Sequence, residues 1–265
     1  MPDCVLALDV GGTSVKLALA DTGGLPIRGT VGQLDFDAGG TKEEILAAFR
    51  QAALEGRRMA ETAGLTLLGL GVAFPGPFDF DLGMSRMAHK MPAIKDVPLT
   101  PVFQGAAGEL PVRYLHDSTA YLLGEASSGA AAGASSPALT MLGTGFGFAY
   151  MRDGRVRVTR SQRPHIARWN APFLSGTVED DVSRRAIRAR YAALAGAENP
   201  PDVLDIACKA RAGEVAAIDT FYQAGQLLAS ILRPVLQALA CDILVVGGQI
   251  ARSADLFLGA VESGL

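Results

Sequence analysis

The hydrophobic pattern predicts alternating strands and helices in both halves of the chain. Leu67–Phe74 is a continuous apolar run of strand length, which is typical of a strand covered on both faces in a parallel or mixed sheet. Thr41 and Glu44 form a capping box ahead of apolar residues at helical spacing. Alternation of strands with helices favours an α/β fold with mixed sheets flanked by helices.

The same periodicity predicts further elements. They are helices capped by Thr100 and by Asp117 or Ser118, helices over Val178–Leu194 and Glu214–Ala240, strands over Val112–Leu115 and Ile243–Val246, and a last helix capped by Ser253. Pro234 lies inside the longest helix and is expected to kink or break it after Arg233, because proline lacks the backbone N–H.

Two glycine-rich turns between short strands repeat one plan. Gly11-Gly12-Thr13 follows the apolar run that ends at Asp9, and Gly143-Thr144-Gly145-Phe146-Gly147 follows Ala138–Leu142. Glycine lets backbone N–H groups approach anionic oxygens, so the pair suits a phosphate chain, although each turn alone is equally well explained as a tight hairpin. The repeat predicts two α/β lobes, residues 1–115 and 116–265, with an Ala/Gly/Ser linker at Ala130–Pro137.

Composition removes several classes of protein. Apolar residues make up 49% of the chain and charged residues 19%, which excludes intrinsic disorder. The net charge of −3 is no footprint for a nucleic-acid backbone. Residues 126–151 carry no charge but hold too many Ser, Gly and Thr for a membrane helix. Three scattered cysteines and no signal peptide indicate a reduced, cytoplasmic protein.

Several standard site motifs are absent. The chain has no Walker loop, no dinucleotide fingerprint and no nucleophile elbow. His89, His116 and His165 lie too far from each other and from the cysteines for a local zinc pattern. Asp117 follows a strand and opens a helix, where α/β proteins place ligands. It is interpreted either as a plain helix cap or as a base for a substrate hydroxyl.

Five motifs in order along nearly the whole chain resemble those of the ROK family of sugar kinases and related repressors. They are Leu8–Lys16 as the first phosphate motif, Gly71–Pro77 as the PGP segment, His116–Ala120 with Gly124-Glu125 as the stretch that bears the catalytic aspartate, Leu142–Gly147 as the second phosphate motif, and Val245–Gly248 as the adenosine motif.

The resemblance implies a two-lobed, actin-like (RNase H-like) ATPase fold and an ATP-dependent kinase for a hexose or hexose derivative, normally acting on the C6 hydroxyl. It implies Asp117 as the catalytic base and Asp9 as the residue that supports Mg²⁺ through water or phosphate. The remaining implied roles are phosphate contacts by Gly11, Gly12, Thr13, Lys16, Gly143, Thr144, Gly145 and Gly147, adenosine contacts by Gly247 and Gly248, and sugar contacts by Pro75, Gly76, Lys90, His116, His165 and Glu179.

The departures from the family pattern concern the sugar site. Lys90 and His116 stand where the family usually has asparagine, and its Cys-rich zinc motif is missing, so no structural zinc is expected. With Arg163 these side chains suggest a substrate that carries an anionic group, because cations pair with carboxylate or phosphate. The alternative is that Lys90 and Arg163 simply point to solvent.

A non-catalytic sugar-binding or sensor protein of the same fold is the alternative function. Repressors of the family carry a DNA-binding domain before the first phosphate motif, whereas only Met1–Val5 precede it here, so neither a nucleic-acid nor a membrane partner is expected. The resemblance suggests a homodimer. It also implies further segments after the adenosine motif, so the second lobe is expected to be short at its C-terminus.

Overall fold

The computed structural model describes residues 1–88 and 90–265, and their contacts divide the chain into two units. Unit 1 comprises Met1–Gly129 and Val158–Arg163, and unit 2 comprises Ala130–Arg157 and Pro164–Leu265. Each unit combines strands and helices around a hydrophobic core of its own, which confirms the α/β class. The lobe boundary after residue 115 stays a prediction; by contacts, the helix that follows it groups with unit 1.

Unit 1 holds seven strands and three α-helices among its described residues. Their bounds are β1 (Asp3–Val10), β2 (Ser14–Asp21), β3 (Pro26–Asp35), α1 (Lys42–Thr62), β4 (Thr66–Phe74), β5 (Phe78–Asp79), β6 (Met84–Ser85), α2 (Thr100–Ala107), β7 (Val112–His116) and α3 (Asp117–Ser128). A short 3₁₀ turn covers Pro92–Ile94.

The main sheet of unit 1 has the strand order β3-β2-β1-β4-β7. Strands β1, β4 and β7 run parallel, whereas β1, β2 and β3 form antiparallel pairs. One face is buried by α1, where the ring of Phe49 meets Phe74 edge-on at 6.0 Å and stacks on Phe103 at 5.9 Å. The predicted capping box at Thr41 and Glu44 begins this helix.

Unit 2 is built on a smaller sheet and five α-helices in its described residues. Their bounds are β8 (Ala138–Leu142), β9 (Phe146–Arg152), β10 (Arg155–Val156), β11 (Pro172–Phe173), β12 (Gly176–Thr177), α4 (Val178–Val182), α5 (Arg184–Ala195), α6 (Val203–Arg211), α7 (Val215–Leu239), β13 (Leu244–Gly247) and α8 (Leu258–Gly264). The sheet order is β10-β9-β8-β13, with β13 parallel to β8.

Both glycine-rich turns close antiparallel hairpins, as predicted. Val10 pairs with Val15 across the first turn, and Leu142 pairs with Phe146 across the second. None of the glycines in these two turns adopts a positive φ. The turns therefore do not need glycine for their backbone conformation.

Several predictions of helix detail differ from the structure. The helix over Val178–Leu194 is two helices that meet at Ser183, whose backbone is extended. Helix α7 continues through Pro234; the roughly 3 kcal/mol cost of an interior proline is offset because burying each large apolar side chain, such as Leu228 or Leu232, contributes about 1.5–3 kcal/mol.

The other corrections concern caps. Thr100, predicted as an N-cap, is the first residue of α2, and Leu99 occupies the cap position. Ser253 lies within a 3₁₀ segment, Gln249–Leu256, and the last helix begins only at Leu258. The N-cap of α3 is His116, whose backbone is extended, one residue before the predicted cap.

Candidate active site at the carboxyl ends of the strands

Three predicted site segments meet the same edge of the sheet in unit 1. Asp9 lies near the end of β1, Pro75-Gly76 follows β4, and His116-Asp117 joins β7 to α3. The register aligns Asp9 with Ala73, and Phe74 with His116. The carboxyl ends of parallel strands are where α/β folds place ligands, so the fold brings these segments to one candidate site.

Asp9 carries a perturbed carboxylate. It lies opposite Lys16 in the β1–β2 pair. Burial raises the pKa of Asp9, the positive charge of Lys16 opposes that increase, and the negative charge of Asp117 adds to it. A cation beside Asp9 would reduce the electrostatic repulsion between the carboxylates of Asp9 and Asp117.

Asp117 is held by its two neighbours in the chain. Its Oδ1 lies 2.7 Å from His116 Nδ1 and accepts the Ser118 N–H at 2.6 Å. Burial alone would raise the pKa of Asp117, but the hydrogen bonds from His116 and Ser118 and the charge of Lys90 outweigh it and keep that pKa below its ordinary value. Asp117 is therefore ionised at neutral pH and able to accept a proton.

Ser118 is a site residue that the sequence reasoning missed. It is fully buried, its N–H donates to Asp117, and its Oγ lies 2.9 Å from His116 Nδ1. In the sequence, the position of Ser118 directly after the aspartate of the motif is the feature that could have identified it. Thr119 beside it is also fully buried, and its Oγ1 has no hydrogen-bond partner among the described residues.

The first glycine turn leaves open space around its tip. Gly12 and Thr13 are exposed, and a Cβ built on Gly12 would meet no atom within 4 Å. Neither packing nor backbone conformation requires glycine at this position. Close approach by a ligand is the remaining physical reason for it.

The second glycine turn, in unit 2, shows the same opening at Gly143, where an added Cβ would again meet nothing. Glu179, predicted as a sugar contact, lies against this turn: its Oε2 accepts the Phe146 N–H at 3.0 Å, and a Cβ on Gly145 would clash with the same oxygen. Glu179 thus stabilises the turn, and its role toward sugar stays a prediction.

Two other predicted residues of unit 2 have defined surroundings. His165 is exposed, and its Nδ1 lies 3.0 Å from the hydroxyl of Tyr150. Gly248 has φ 89°, and a Cβ there would clash with the backbone of Leu142. Glycine is therefore required at 248 for the adenosine motif to lie against β8.

The predicted sugar contacts Pro75, Gly76 and Lys90 belong to unit 1, as Asp117 does. Thr144, Gly147 and Gly247 belong to unit 2. Pro75 is buried, and a Cβ on Gly76 would lie 3.2 Å from His116 Nε2. Lys90 is exposed, and its charge lowers the pKa of Asp117. His89 lies outside the described residues.

Neither a metal-binding cluster nor a membrane-spanning helix occurs among the described residues. Residues 1–88 and 90–265 contain no group of three or more His, Cys, Asp or Glu side chains placed to bind a metal ion. In the same ranges, no helix has the length and apolar character needed to cross a bilayer.

Comparison with known proteins places the chain in a family. The sequence is similar to that of a glucokinase of Thermotoga maritima, 24% identical over 97% of this chain and 86% of the relative. The fold matches the ROK hexokinase of Thermus thermophilus, with a TM-score of 0.78, 24% identity, and coverage of 99% of this chain and 89% of that one.

A ROK family glucokinase from Streptomyces griseus, solved with glucose and AMPPNP, gives the same TM-score of 0.78 at 20% identity, over 98% of this chain and 88% of the other. These likenesses establish the actin-like ATPase fold that the sequence predicted. The model of the ROK family matches residues 5–265, and the chain therefore belongs to the ROK family.

Proposed function

We propose that this protein is an ATP-dependent sugar kinase that uses Asp117 to deprotonate a hydroxyl of a hexose or hexose derivative, the one on C6. The observation that carries the proposal is Asp117 itself, an ionised carboxylate at the carboxyl edge of the sheet beside a second acidic group, Asp9. The proton would pass from the hydroxyl to Asp117 as that oxygen bonds to the γ-phosphorus of ATP and ADP leaves.

The residues fit the phosphates and the magnesium ion that this chemistry uses. Each glycine turn, taken by itself, would donate backbone N–H groups to phosphate oxygens, since a Cβ at Gly12 or at Gly143 would occupy otherwise open space. Asp9 and substrate phosphates supply the hard oxygen ligands that Mg²⁺ prefers. When bound, the ion supplies neutralisation of charge on the phosphates; Lys16, opposite Asp9, adds a fixed positive charge.

Substitution Asp117→Asn tests the assignment of the base. The amide keeps the shape of the side chain but accepts no proton, so we expect kcat to fall by at least about a hundredfold in a protein that still folds. ADP release in the presence of a panel of hexoses, N-acylhexosamines and sugar acids provides the measurement. Asp3→Asn, at the far end of β1, is the matched control and should turn over like the wild type.

Near wild-type turnover by Asp117→Asn would show that the base lies elsewhere. A sugar that raises the melting temperature of the wild type without any ADP release would favour the non-catalytic sensor instead.

We further propose that the acceptor carries an anionic group, paired with Lys90. The ammonium is close enough to influence Asp117, and no salt bridge to Lys90 occurs among the described residues. Lys90→Met should lower kcat/KM for a sugar acid by about tenfold, the worth of one charge-assisted hydrogen bond, and leave that for glucose nearly unchanged. A wild type that prefers glucose over every anionic sugar would contradict this substrate class.

A further inference from the structure

The imidazole of His116 is directed at Asp117 through Nδ1. That nitrogen lies 2.7 Å from Asp117 Oδ1 and 2.9 Å from Ser118 Oγ. Both side chains of the pair are largely shielded, with 21% of His116 and 32% of Asp117 exposed. A side chain that contacts the sugar through this nitrogen would have to give up its contact with the base.

The distances assign the proton to Nδ1. The Ser118 N–H also points at Nδ1, at 3.4 Å, and would need a bare nitrogen as its acceptor. The same N–H already donates to Asp117 Oδ1 at 2.6 Å. A carboxylate at 2.7 Å is the stronger and closer partner of Nδ1, since hydrogen bonds to ionised acceptors are short. His116 Nδ1–H therefore donates to Asp117 Oδ1, and the hydroxyl oxygen of Ser118 lies close to the same nitrogen.

Both donors reach the same carboxylate oxygen. Oδ1 of Asp117 receives His116 Nδ1–H and Ser118 N–H, whereas no hydrogen bond to Oδ2 is found among the described residues. Two donors on one oxygen fix the rotation of the carboxylate group. The other oxygen, Oδ2, then has its lone pairs available to accept a proton.

The ring of His116 has little freedom to move away. The Phe80 ring lies 6.1 Å from it, centroid to centroid, and Nε2 approaches Gly76 so closely that a Cβ there would lie 3.2 Å away. The backbone of His116 is held in register with Phe74. The charged groups that act on Asp117 from other elements are Asp9 and Lys90, and neither restrains the orientation of its carboxylate by a hydrogen bond.

We infer that His116 is a positioning residue for the base rather than a sugar contact: its Nδ1–H holds Asp117 Oδ1 so that Oδ2 takes the proton of the substrate hydroxyl. The inference rests on the proposed kinase function for the role of Oδ2. The hydrogen bond that it requires exists independently of turnover, so the two are tested separately.

Nitrogen NMR of ¹⁵N-histidine-labelled protein reads the tautomer without any reaction. In its neutral form, the ring of His116 should be protonated at Nδ1 and bare at Nε2, and Asp117→Asn should change that signal. The His116 resonances are those missing from the spectrum of His116→Asn, and His165 serves as the internal reference. Protonation at Nε2 would overturn the inference.

Kinetics of three variants distinguish the two ring nitrogens. Asparagine places its amide N–H where Nδ1 stands, and glutamine places it where Nε2 stands. We expect His116→Ala and His116→Gln to lose about ten- to a hundredfold in kcat, and His116→Asn to recover most of it, with the KM for sugar little changed. Recovery by glutamine and a raised KM in the asparagine variant would instead make His116 a sugar contact.

The proposed kinase function and the inferred role of His116 can be contradicted separately. A wild type that transfers phosphate to no sugar contradicts the proposed function, and with it the role of Oδ2, whatever the spectrum shows. An active wild type with the Nε2–H tautomer contradicts only the role of His116. Melting temperatures near that of the wild type exclude loss of folding as the reason for a kinetic defect.

Discussion

At the scale of single residues, the pKa values of Asp9 and Asp117 move in opposite directions, although both carboxylates lie at the same edge of the sheet. Burial raises the pKa of Asp9, while the hydrogen bonds of His116 and Ser118 outweigh burial at Asp117 and lower its pKa. Two carboxylates whose surroundings separate their pKa values are suited to different tasks. Asp117 suits proton acceptance, and Asp9 suits a site where a cation balances its charge.

The raised pKa of Asp9 predicts a gain in stability on Asp9→Asn. A carboxyl group whose folded-state pKa exceeds its unfolded value destabilises the folded protein once it is ionised, so its removal should raise the melting temperature at neutral pH. The gain should shrink as the pH falls to the unfolded value, where both states of Asp9 are protonated. The turnover of Asp9→Asn should be lower than that of the wild type.

Thermal denaturation of wild type and Asp9→Asn across the acid range measures this difference, and Asp3→Asn, on the same strand, is the control. A melting temperature that does not rise at neutral pH would contradict the account of Asp9, as would a gain of the same size at every pH.

The sequence was informative about residues whose role depends on their neighbours in the chain. Asp117 and the glycine turns could be predicted because a strand end, a helix start and a turn are local features, whereas His116 was predicted from the resemblance of its motif. The hydrogen bond from Phe146 N to Glu179 joins residues 33 positions apart, and the Nδ1 contact of His116 depends on a rotamer. Neither follows from a periodic pattern, so both required the structure.

At the scale of elements, local chemistry explains which predictions succeeded. The hairpins at Gly11–Ser14 and Gly143–Gly145 and the capping box at Thr41 are closed by short-range hydrogen bonds. The helix does not break at Pro234, because tertiary packing of α7 exceeds the cost of one proline. Helix α6 was missed, although Asp202 as N-cap and apolar residues at helical spacing gave a usable signal.

The predicted linker Ala130–Pro137 is anchored by one side chain. Asp242 Oδ2 accepts Ser135 N–H at 2.8 Å, Ser136 N–H at 3.0 Å and the Ser135 hydroxyl at 3.1 Å. These bonds outweigh desolvation and lower the pKa of Asp242. The linker is thereby tied to the segment that leads into β13.

Asp242→Asn should therefore lower the melting temperature at neutral pH by roughly 2 °C, a small value because the group is exposed and screened. A lowered folded-state pKa contributes stability above the unfolded pKa, and this contribution is lost as the pH falls through the folded value. The melting temperatures of the wild type and of Asp242→Asn should therefore become equal in acid. Asp153→Asn, at the exposed β9–β10 turn, is the control; an equal effect of both substitutions would contradict the anchoring role.

At the scale of the whole molecule, the two sheets share one local plan. Strand β1 pairs antiparallel with β2 and parallel with β4, and β8 pairs antiparallel with β9 and parallel with β13. In both cases the antiparallel partner follows a glycine turn. The repeat seen in the sequence is therefore a repeat of topology, and each copy is surrounded by a separate core.

Separate cores predict that the units open separately. Phe49 and Phe221 are fully buried, one in each core, and replacing either by leucine should cost roughly 1–2 kcal/mol without unfolding the chain. Hydrogen exchange should then rise across Met1–Gly129 in Phe49→Leu and across Pro164–Leu265 in Phe221→Leu, because local opening follows the stability of the cooperative unit. A rise spread evenly over the whole chain in both variants would mean that the two cores form one cooperative unit, and that the repeated topology does not divide the folding energy of the protein.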